Sequence, residues 1–485
     1  MVHKFLFLLT LVLHTFSFHV SADTIYVAPN GTGNGTSEIS PLGSFSSAVD
    51  QLDPGDVMIL ADGEYKETLT LSNVDGTLLH PITIKAKSIC GAFINGDSTR
   101  TNAVRVDKSE FIILDGLKAG NTTHAVYSIT NCNNINLKRC AGFNAGYWVA
   151  RDGGVVQNSY EDNCHIFGIA YSSEILSEDV WAWGTGRYCF LYFQSENCIL
   201  RRGVFRPTEP SLGYGYDRCP HSGFNLYDCA NSIAENCIAF ETRVHPQSTH
   251  NEGNPWGLVQ GGMVFDDHTL PSGFNHVYGC FDLDNGQYRT EVPRSNSAVH
   301  LMSKWSGEFE DIVIWKNAHD YQFVQTTSGK VVFPKRALIG SPTRVRQNTI
   351  VGTNMNRRYM DGELTDIPLW PWPYEDIIKE QMEMQETMTE YVTRMVDGYL
   401  SIIPVEPVKA AGIDFTIDTI ALDAGLKDTL HITLMPDSAT NTYIHWLSSD
   451  ENIVEVNNKG IIYGIHPDKA FIIATADDGD YRDTC

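Results

Sequence analysis

The chain has 485 residues, of which 42% are apolar, enough to build a large hydrophobic core and to exclude a wholly disordered protein. It carries 59 acidic against 35 basic side chains, a formal net charge of −24. Because nucleic-acid binding draws most of its affinity from basic side chains that contact phosphates, this charge excludes nucleic acid as an expected partner.

The first 22 residues have the pattern of a secretory signal peptide. Lys4 supplies a positive charge, and an apolar run follows from Phe5 to Leu13. Small residues precede the expected cleavage site after Ala22. Because this run is short for a membrane span and no later stretch could cross a bilayer, we expect a secreted, extracellular protein without a transmembrane segment.

The cysteine pattern is unlike a disulfide framework. The chain has 11 cysteines, an odd number, and nine fall within one stretch of 149 residues: Cys132, Cys140, Cys164, Cys189, Cys198, Cys219, Cys229, Cys237 and Cys280. No two have the CxxC spacing of a zinc site. Several recur at matching points of a repeat, so we interpret them as small core residues stacked in a ladder, and the sequence defines no disulfide pairing.

A repeat of about 20 to 24 residues runs through the middle of the chain. In six phrases an apolar or small residue follows another after five positions: Ile112/Leu117, Ile135/Cys140, Val155/Tyr160, Ile175/Val180, Ile199/Val204 and Ile233/Ile238. Successive phrases are 23, 20, 20, 24 and 34 residues apart. Short strands at this period cannot bury a core alone, so they predict a solenoid of stacked coils with longer loops on one face.

The repeat favours a right-handed parallel β-helix. A leucine-rich horseshoe needs a regular leucine spacing that is absent, whereas a β-helix accepts Ile, Val, Cys and Phe inside and Asn at its corners. The first coils contain Ile25 to Gly31, Pro41-Leu42, a helix bearing Phe45, Ala48, Val49 and Leu52, Pro54-Gly55-Asp56 and Gly63-Glu64-Tyr65. This opening resembles that of secreted β-helix polysaccharide lyases of the pectate-lyase and chondroitinase-B type. The resemblance covers fold features from Ile25 to about residue 350.

Past the last coil the composition changes, and a helix is predicted. Leu369 to Pro373 contains two tryptophans, and a Met- and Glu-rich stretch from Tyr374 to Tyr399 has apolar residues at near-helical spacing. We expect the helix to pack on the body of the solenoid or on its C-terminal end. The tryptophan pair is either a buried clasp or a platform for sugar rings. A Pro-rich linker, Ile403 to Pro407, follows.

The last segment, from Ile413 to Cys485, predicts a small β-sandwich with Trp446 as its core aromatic. The motifs are Leu434 to Thr440, Trp446 to Asp450, Val454 to Val456 and Gly460 to Ile462. They are similar to the bacterial Ig-like group-2 (BIG2) module, whose members are generally spacers or surface-binding units. Asp468-Lys469-Ala470 replaces the usual Gly-Thr, and the chain stops one strand early. The module is therefore expected to be a fragment, or to have its last sheet edge filled by another segment.

The predicted fold class is all-β: a right-handed parallel β-helix followed by a helical segment and a small Ig-like β-sandwich. The expected divisions are a signal peptide (1–22), a β-helix domain (23–368), a Trp/Pro clasp with helix and linker (369–412) and an Ig-like group-2 domain (413–485). We expect a monomer.

The resemblance to lyases implies eliminative cleavage of a uronate-containing polysaccharide. In that reaction a Lys or Arg removes the proton beside the carboxylate, and Ca²⁺ held by acidic side chains neutralises the carboxylate. The implied cofactor is Ca²⁺, and the implied partner is a polysaccharide or cell-surface glycan. A cation would also offset the repulsion between a protein of net charge −24 and a polyanion.

Candidate reacting residues come from an alignment of neighbouring strands. It places Asn225, Val264 and His300 at one level, Tyr227, Asp266 and Met302 at the next, and Cys229, His268 and Lys304 at a third, all on one face of the coils. The candidate metal ligands are Asp266, Asp267, Asp282 and Asp284, and the candidate catalytic residues are Lys304, Arg243, His268 and His300. The alternative is a solvated turn beside a surface lysine. The Asn plus paired Glu pattern and the Arg-His-Gly turn of the chondroitinase-B group are absent, so no lyase residue is transferred by the resemblance.

A second candidate site is rich in arginine and aromatic residues. The residues expected to bind substrate are Arg187, Arg201, Arg202, Tyr216 and Arg218. Guanidinium groups bind carboxylates or sulfates, while aromatic rings stack on sugar faces. The alternative is a ladder of salt bridges with Glu178, Asp179 and Glu196.

Three functions compete at this point. The first is a secreted polysaccharide lyase, and the second is a glycoside hydrolase, which needs two carboxylates about 5 to 9.5 Å apart. The third is a non-catalytic adhesin or surface polysaccharide-binding protein. Because parallel β-helices serve all three, the fold alone does not choose among them.

Overall fold

The computed structural model describes residues 22–149, 155–157, 164–208, 222–242, 262–267, 273–285, 297–301, 303–315, 321–325, 329–333, 336–339, 343–345, 349–351, 356–396, 409–436, 439, 443–457, 459–477 and 481–485. Three long sheets dominate these residues, and we name them sheets A, B and C in the order in which each coil visits them.

Sheet A has twelve strands: β1 (Thr24–Val27), β2 (Val57–Leu60), β5 (Ile82–Ala86), β8 (Glu110–Asp115), β11 (Asn133–Lys138), β16 (Ser173–Glu178), β19 (Ile199–Arg201), β22 (Ile233–Glu235), β25 (Phe274–Tyr278), β28 (Ser306–Glu310), β31 (Lys330–Phe333) and β32 (Arg336–Ile339). Sheet B has ten: β3 (Gly63–Tyr65), β6 (Ala92–Asn95), β9 (Lys118–Gly120), β12 (Ala141–Phe143), β17 (Trp181–Trp183), β20 (Val204–Arg206), β23 (Ile238–Phe240), β26 (Phe281–Leu283), β29 (Ile312–Trp315) and β34 (Thr349–Val351). Sheet C also has ten: β4 (Leu69–Ser72), β7 (Val104–Asp107), β10 (Tyr127–Thr130), β15 (His165–Ala170), β18 (Tyr188–Phe193), β21 (Ser222–Tyr227), β24 (Met263–Asp266), β27 (Ser297–Leu301), β30 (Tyr321–Gln325) and β33 (Thr343–Val345).

The strands stack in parallel, which confirms the predicted β-helix. Ile112 pairs with Ile135, and Ile135 pairs with Ile175 in the next coil. These side chains fill the interior, because alternate residues of each strand face inward. Asn residues at several corners, such as Asn131 and Asn236, take a left-handed conformation that turns the chain sharply between sheets. The sequence therefore encodes the coil through inward apolar residues and corner residues that tolerate positive φ.

One phrase of the predicted repeat is not a coil. Val155 lies in β14 (Val155–Gln157), which pairs antiparallel with β13 (Tyr147–Val149). The two strands form a hairpin inserted between sheets B and C. The step from Ile135 to Ile175 is therefore one coil carrying an insertion, whereas the repeat had placed two coils there.

The first coil is capped by helix α1 (Phe45–Val49). The side chain of Ser44 accepts a hydrogen bond from the backbone N–H of Ser47 at the start of the helix. Phe45 and Ala48 are fully buried in the interior of the solenoid, and the Phe45 ring stacks on Tyr65 at 5.0 Å. At the other end the chain turns back on itself, and β32, β33 and β34 pair antiparallel with β31, β30 and β29.

The helical segment packs on the outer face of sheet B. Two helices, α2 (Glu375–Gln381) and α3 (Met388–Met395), stand where the sequence predicts one, and a capping box between Thr387 and Glu390 begins the second. Their apolar side chains and those of sheet B form one cluster with Trp370 and Trp372. Both tryptophans are buried, so the clasp is the alternative that describes them.

Residues after the coils form a hairpin and three small antiparallel sheets. The hairpin comprises β35 (Arg357–Met360) and β36 (Glu363–Pro368). The C-terminal strands are β37 (Gly412–Phe415), β38 (Lys427–Thr429), β39 (Ile432–Met435), β40 (Ile444–Ser448), β41 (Val454–Val456), β42 (Ile461–Gly464), β43 (Ile472–Ala476) and β44 (Arg482–Thr484). They enclose a separate apolar cluster. Trp446, predicted as the core aromatic, is only partly buried and packs against the edge of this cluster.

The ten cysteines in the described residues are free thiols, and all except Cys485 are buried. Seven of them belong to the interior cluster of the coils, in keeping with the interpretation as core residues. In the described part of the chain, no helix has the length and apolarity needed to cross a membrane.

Candidate functional site

A groove of about 610 Å³ lies on the outer face of sheet C, across strands β10, β15, β18 and β21. Along its centre, Ser128, Gly168 and Leu191 occupy one row, each paired with the next across neighbouring coils. Asn225 continues the row on β21, but it is completely buried and does not line the groove. Ser128 and Gly168 are small, so the groove is open over β10 and β15. Their neighbours along each strand, such as Phe167 and Phe190, point into the interior and fix the floor in place.

One wall of the groove is a stack of His165, Tyr188 and Arg187. The rings of His165 and Tyr188 are aligned in register and stack at 5.0 Å with an interplanar angle of 2°. The guanidinium carbon of Arg187 lies 4.9 Å from the centroid of the Tyr188 ring. A half-buried guanidinium held on an aromatic face in a groove is suited to binding a carboxylate of a sugar.

The other edge of the groove is aromatic and leads to a cluster of carboxylates. Phe193 pairs with Tyr227, and their rings lie 5.2 Å apart. Tyr227 in turn pairs with Asp266 on the next coil. Burial raises the pKa of the Tyr227 phenol, and the negative charges of Asp266 and Asp228 raise it further. Tyr227 therefore keeps its proton and can act as a hydrogen-bond donor.

Asp228, Asp266 and Asp267 form an acidic corner where sheet C turns into sheet A. The backbone N–H of Asp228 donates to the carbonyl of Asp266 at 2.8 Å, which fixes the two coils in register. Asp267 is completely buried, and its carboxylate oxygens have no hydrogen-bond partner among the described residues. Burial, followed by the charges of Asp228 and Asp266, raises the pKa of Asp267 to about 8.

The four predicted metal ligands do not assemble into one site. Asp282 lies between Phe281 and Leu283 on β26, and those two side chains pack under the helices, so Asp282 points into the interior. There the amide of Asn285 donates to it at 2.7 Å. Asp266 lies on the outer face, and Asp284 follows β26 at the opposite edge of sheet C. Within the described part of the chain, no three or more His, Cys, Asp or Glu side chains are grouped to hold a metal ion.

The structure describes only some of the predicted catalytic residues. The strand registers pair Asn225 with Val264 and Val264 with His300, as the alignment expected. Lys304 is exposed at the next corner, where its backbone N–H donates to the carbonyl of Asp267 at 3.1 Å. The side chain of His300 and the whole of Arg243, His268 and Met302 lie outside the described residues.

The residues predicted at the third level, Cys229, His268 and Lys304, do not all lie on the outer face of sheet C. Cys229 is buried in the interior cluster, although Asn225 and Tyr227 face outward. Asp228 adopts a φ of 53°, and this left-handed corner residue breaks the strict alternation. An alignment that continues through a corner therefore places side chains on the wrong face.

Two of the predicted substrate-binding arginines have a structural role. Arg201 contacts Glu235 at 2.6 Å, Glu178 at 3.1 Å and Asp361 at 2.5 Å. Arg202 makes two hydrogen bonds to Asp179, at 2.9 and 2.8 Å, and one to Glu178 at 2.9 Å. Both arginines are buried, so the salt-bridge alternative describes them, and Arg187 is the one described candidate that lines the groove. Tyr216 and Arg218 lie outside the described residues.

Sequence reasoning missed two members of this region. The strand alignment matched Cys229 to His268. The residues just before these two, Asp228 and Asp267, are therefore matched as well, and this pair of acidic residues was the signal for the acidic corner. His165 begins strand β15 after a long insertion, and its stacking on Tyr188 depends on a register that the sequence pattern does not reveal.

The chain is similar to known proteins in one family profile and in several solved structures. The chondroitinase B family profile matches residues 41–130, which span the first coils. No curated protein sequence matches the chain. Among solved structures the chain is similar to the pectate lyase Pel9A, with 16% identity over 64% of this chain and 78% of that one and a TM-score of 0.38.

Two further solved structures are similar. A rhamnogalacturonan lyase is 12% identical over 67% of this chain and 79% of that one, with a TM-score of 0.38. An alginate lyase from Paenibacillus sp. str. FPU-7 is 12% identical over 61% of this chain and 95% of that one, with a TM-score of 0.33. The β-helix itself is defined by the strand registers above.

Proposed function

We propose that this protein is an exported polysaccharide lyase that binds an acidic polysaccharide in the groove on sheet C and cleaves it by elimination. The observation that carries the proposal is Arg187, held on the Tyr188 ring in a groove on a solenoid face. A guanidinium in this position can bind the carboxylate of a uronate and draw electron density from the adjacent carbon. Export follows from the predicted signal peptide in residues 1–22.

The reaction needs a base and an acid on either side of the bound uronate. The base removes the proton next to the carboxylate, a carbon–carbon double bond forms, and the bond to the leaving sugar oxygen breaks. Tyr227 is the candidate acid, because its phenol lines the groove and carries a proton at neutral pH. Among the candidate bases, His300 lies on β27 and Lys304 follows that strand, three strands beyond β18, so neither adjoins a uronate bound at Arg187. Arg243 and His268 stay candidates and lie outside the described residues.

Ca²⁺ is the cofactor that the lyase resemblance implies, and the described residues do not fit it. Asp282 is enclosed in the interior and bound by Asn285, so it is not available to complete a site with Asp266 and Asp267. We therefore derive no step of the reaction from a metal ion. Activity should be measured both with added Ca²⁺ and with a chelator.

The proposal is tested by offering acidic polysaccharides and following ultraviolet absorbance. Elimination leaves an unsaturated uronate at each cut, and its double bond conjugated with the carboxylate absorbs in the ultraviolet. We expect absorbance to rise with time and the chain length of the polymer to fall. New reducing ends without absorbance would identify a glycoside hydrolase, and binding without any cleavage would identify an adhesin or surface glycan-binding protein.

We also propose that the C-terminal sheets form an Ig-like group-2 module serving as a spacer or surface-binding unit, and that the protein is a monomer. The module has its own apolar cluster, including Ile413, Ile444 and Ile472. Its described contacts with the hairpin include Tyr443 to Asp361 at 3.4 Å and Lys459 to Glu363 at 3.8 Å. Light scattering at several concentrations tests the monomer.

A further inference from the structure

Tyr171 is an exposed tyrosine at the edge of the groove where sheet C turns into sheet A. It lines the groove, and its side chain is 55% exposed. Among the coil residues whose burial the structure describes, it is the one exposed Phe, Tyr or Trp. A ring stabilises a fold chiefly when it is buried, so the packing of the solenoid does not account for this side chain.

The backbone at Tyr171 makes tyrosine an unfavourable residue there. Four consecutive coils turn this corner alike, because the N–H of the corner residue donates to a carbonyl of the next coil in each: Asn131, Tyr171, Gln194 and Asp228. All four have a left-handed φ, and that of Tyr171 is 54°. Asn and Asp tolerate this conformation, whereas a bulky side chain is strained in it. The turn of the chain therefore does not explain the tyrosine, and a strained residue at a groove indicates a functional role.

Tyr171 begins a row of three aromatic rings along this edge of the groove. The rings of Tyr171 and Phe193 meet edge to face, with centroids 5.6 Å apart and an interplanar angle of 81°. The Phe193 ring lies 5.2 Å from that of Tyr227, and all three residues line the groove. In an edge-to-face contact Phe193 can cover at most one face of the Tyr171 ring. Together with the exposure of the side chain, this geometry leaves a face of Tyr171 open to a ligand in the groove.

Small and hydroxyl-bearing residues border the ring. Thr130 pairs with Ala170, the residue before Tyr171, and both line the groove. The Thr130 hydroxyl donates to Asp107 at 3.1 Å, so its oxygen can accept a hydrogen bond from a ligand. Ser128, two residues earlier on the same face of the strand, brings a second hydroxyl to the groove. A sugar has C–H groups on its ring face and hydroxyls at its rim, so an aromatic face beside hydroxyl groups suits a sugar better than a purely apolar ligand.

We propose that Tyr171 forms a sugar-binding subsite, at which the ring face of one pyranose of a polysaccharide stacks on the tyrosine ring while Phe193 holds that ring in place. The subsite lies at the edge of the groove opposite the wall of His165, Tyr188 and Arg187. It binds the C–H face of the sugar, so its contribution does not depend on a charge on that sugar. The inference rests on the glycan binding of the proposed function and is independent of the elimination step.

The test measures binding by calorimetry for full-length parent, Tyr171→Asn and Tyr171→Phe on polygalacturonate, hyaluronan and chondroitin sulfate. Asn suits the left-handed corner, as Asn131 does, and removes the ring, whereas Phe keeps the ring and loses the hydroxyl. On the polymer that the parent binds most tightly, we expect the Asn variant to lose affinity about tenfold and the Phe variant to stay within about twofold of the parent. Tyr481→Asn, which removes an exposed tyrosine just before β44, is the matched control and should bind like the parent.

Melting curves and ionic strength separate this role from a structural or an electrostatic one. Because Asn relieves the strain at the corner, Tyr171→Asn should melt at or above the parent temperature. Its loss of affinity should be equal at low and high ionic strength, because salt does not screen stacking. A clearly lower melting temperature, an unchanged affinity, an equal loss in the Phe variant or a loss confined to low ionic strength would each overturn the inference. The ultraviolet assay on the parent tests elimination separately, so the proposed function would stand in those cases. A parent that neither binds nor cleaves any of the three polymers would overturn both.

Discussion

The guanidinium of Arg201 contacts the carboxylate of Glu235 at 2.6 Å, and both side chains are withdrawn from solvent inside the wall of the solenoid. Glu178 and Asp361 bind the same guanidinium, so one arginine ties two neighbouring coils to the hairpin β35–β36. Glu235 also accepts the backbone N–H groups of Asp361 and Gly362. This cluster holds the hairpin against sheet A.

Arg201→Ala should therefore be strongly destabilising. It leaves the carboxylates of Glu235 and Glu178 buried without this partner, and removal of one member of a buried ion pair costs about 3–5 kcal/mol. We expect a clear fall in the melting temperature, whereas Arg394→Ala, which breaks an exposed pair with Glu386, should change it little. Equal melting curves for the two variants would show that the cluster is not structural.

The same cluster should lose strength in acid. Burial alone would raise the pKa of Glu178, but the charges of Arg202 and Arg201 outweigh it and lower the pKa to about 2. A carboxyl whose pKa is lowered in the folded state stabilises the fold at any pH above its ordinary pKa of 4.5. This contribution to the free energy of unfolding is lost as the pH falls from 4.5 toward 2. Glu178→Gln should reduce this part of the acid dependence of unfolding. A parent protein whose stability is flat between pH 5 and about 2 would contradict the assignment.

Asp267 should affect stability in the opposite direction. Its pKa in the folded protein is about 8, far above the ordinary value for Asp, so ionisation opposes folding and stability falls as the pH rises from about 4 to 8. Asp267→Asn keeps the shape and removes the charge, so we expect it to raise stability at pH 8 by on the order of 1–3 kcal/mol. The measurement is urea unfolding of parent and variant at pH 5 and pH 8. A larger gain in the free energy of unfolding at pH 5 than at pH 8 would contradict the raised pKa of Asp267.

The cysteines should be unreactive in the folded protein. Burial raises the pKa of Cys90 and Cys198 to about 12, and a thiol reacts mainly as its thiolate. Of the ten described thiols, only the partly exposed Cys485 should react quickly with a thiol reagent under native conditions, and the nine buried ones should react on unfolding. Fast labelling of Cys132 or Cys237 in the native protein, located by mass spectrometry, would contradict the packing described here.

The C-terminal sheets should be removable. Their apolar cluster is separate from the interior of the coils, and their described hydrogen bond and ion pair with the hairpin are polar contacts, Tyr443 with Asp361 and Lys459 with Glu363. A chain that ends at Pro404 should therefore stay soluble, with the circular dichroism and the melting cooperativity of a folded β-helix. Insoluble or unfolded protein would place the domain boundary elsewhere.

Much of the fold could be predicted because the sequence repeats the physical requirement of each coil. Ile112, Ile135 and Ile175 stack in register because each fills the same interior position. The repeat misled at Val155, because an apolar residue at the right spacing can also lie in an inserted hairpin. Spacing along the chain records local periodicity and does not distinguish a coil from an insertion of similar length.

The site was harder to predict because it depends on which way single side chains point. Arg187, Arg201 and Arg202 were grouped in one candidate site, yet the first lines the groove and the other two are buried in ion pairs. The difference lies in the strand position of each residue relative to acidic residues on neighbouring coils, such as Glu178 and Glu235. Asp282 was misplaced for the same reason, since a shift of one residue along a strand moves a side chain from the outer face to the interior.

The central claim is that Arg187 holds an acidic sugar in the groove on sheet C while the chain is cleaved by elimination. The most direct measurement is the initial rate of ultraviolet absorbance on the polymer that the parent cleaves best, for the parent, Arg187→Ala, Arg187→Lys and Arg394→Ala. We expect the Ala variant to lose on the order of 10²-fold or more in kcat/KM with a nearly unchanged melting temperature, the Lys variant to recover part of the rate, and Arg394→Ala to match the parent. Parent-like kcat/KM in Arg187→Ala would contradict the account, and so would cleavage of the polymer by the parent without any rise in absorbance.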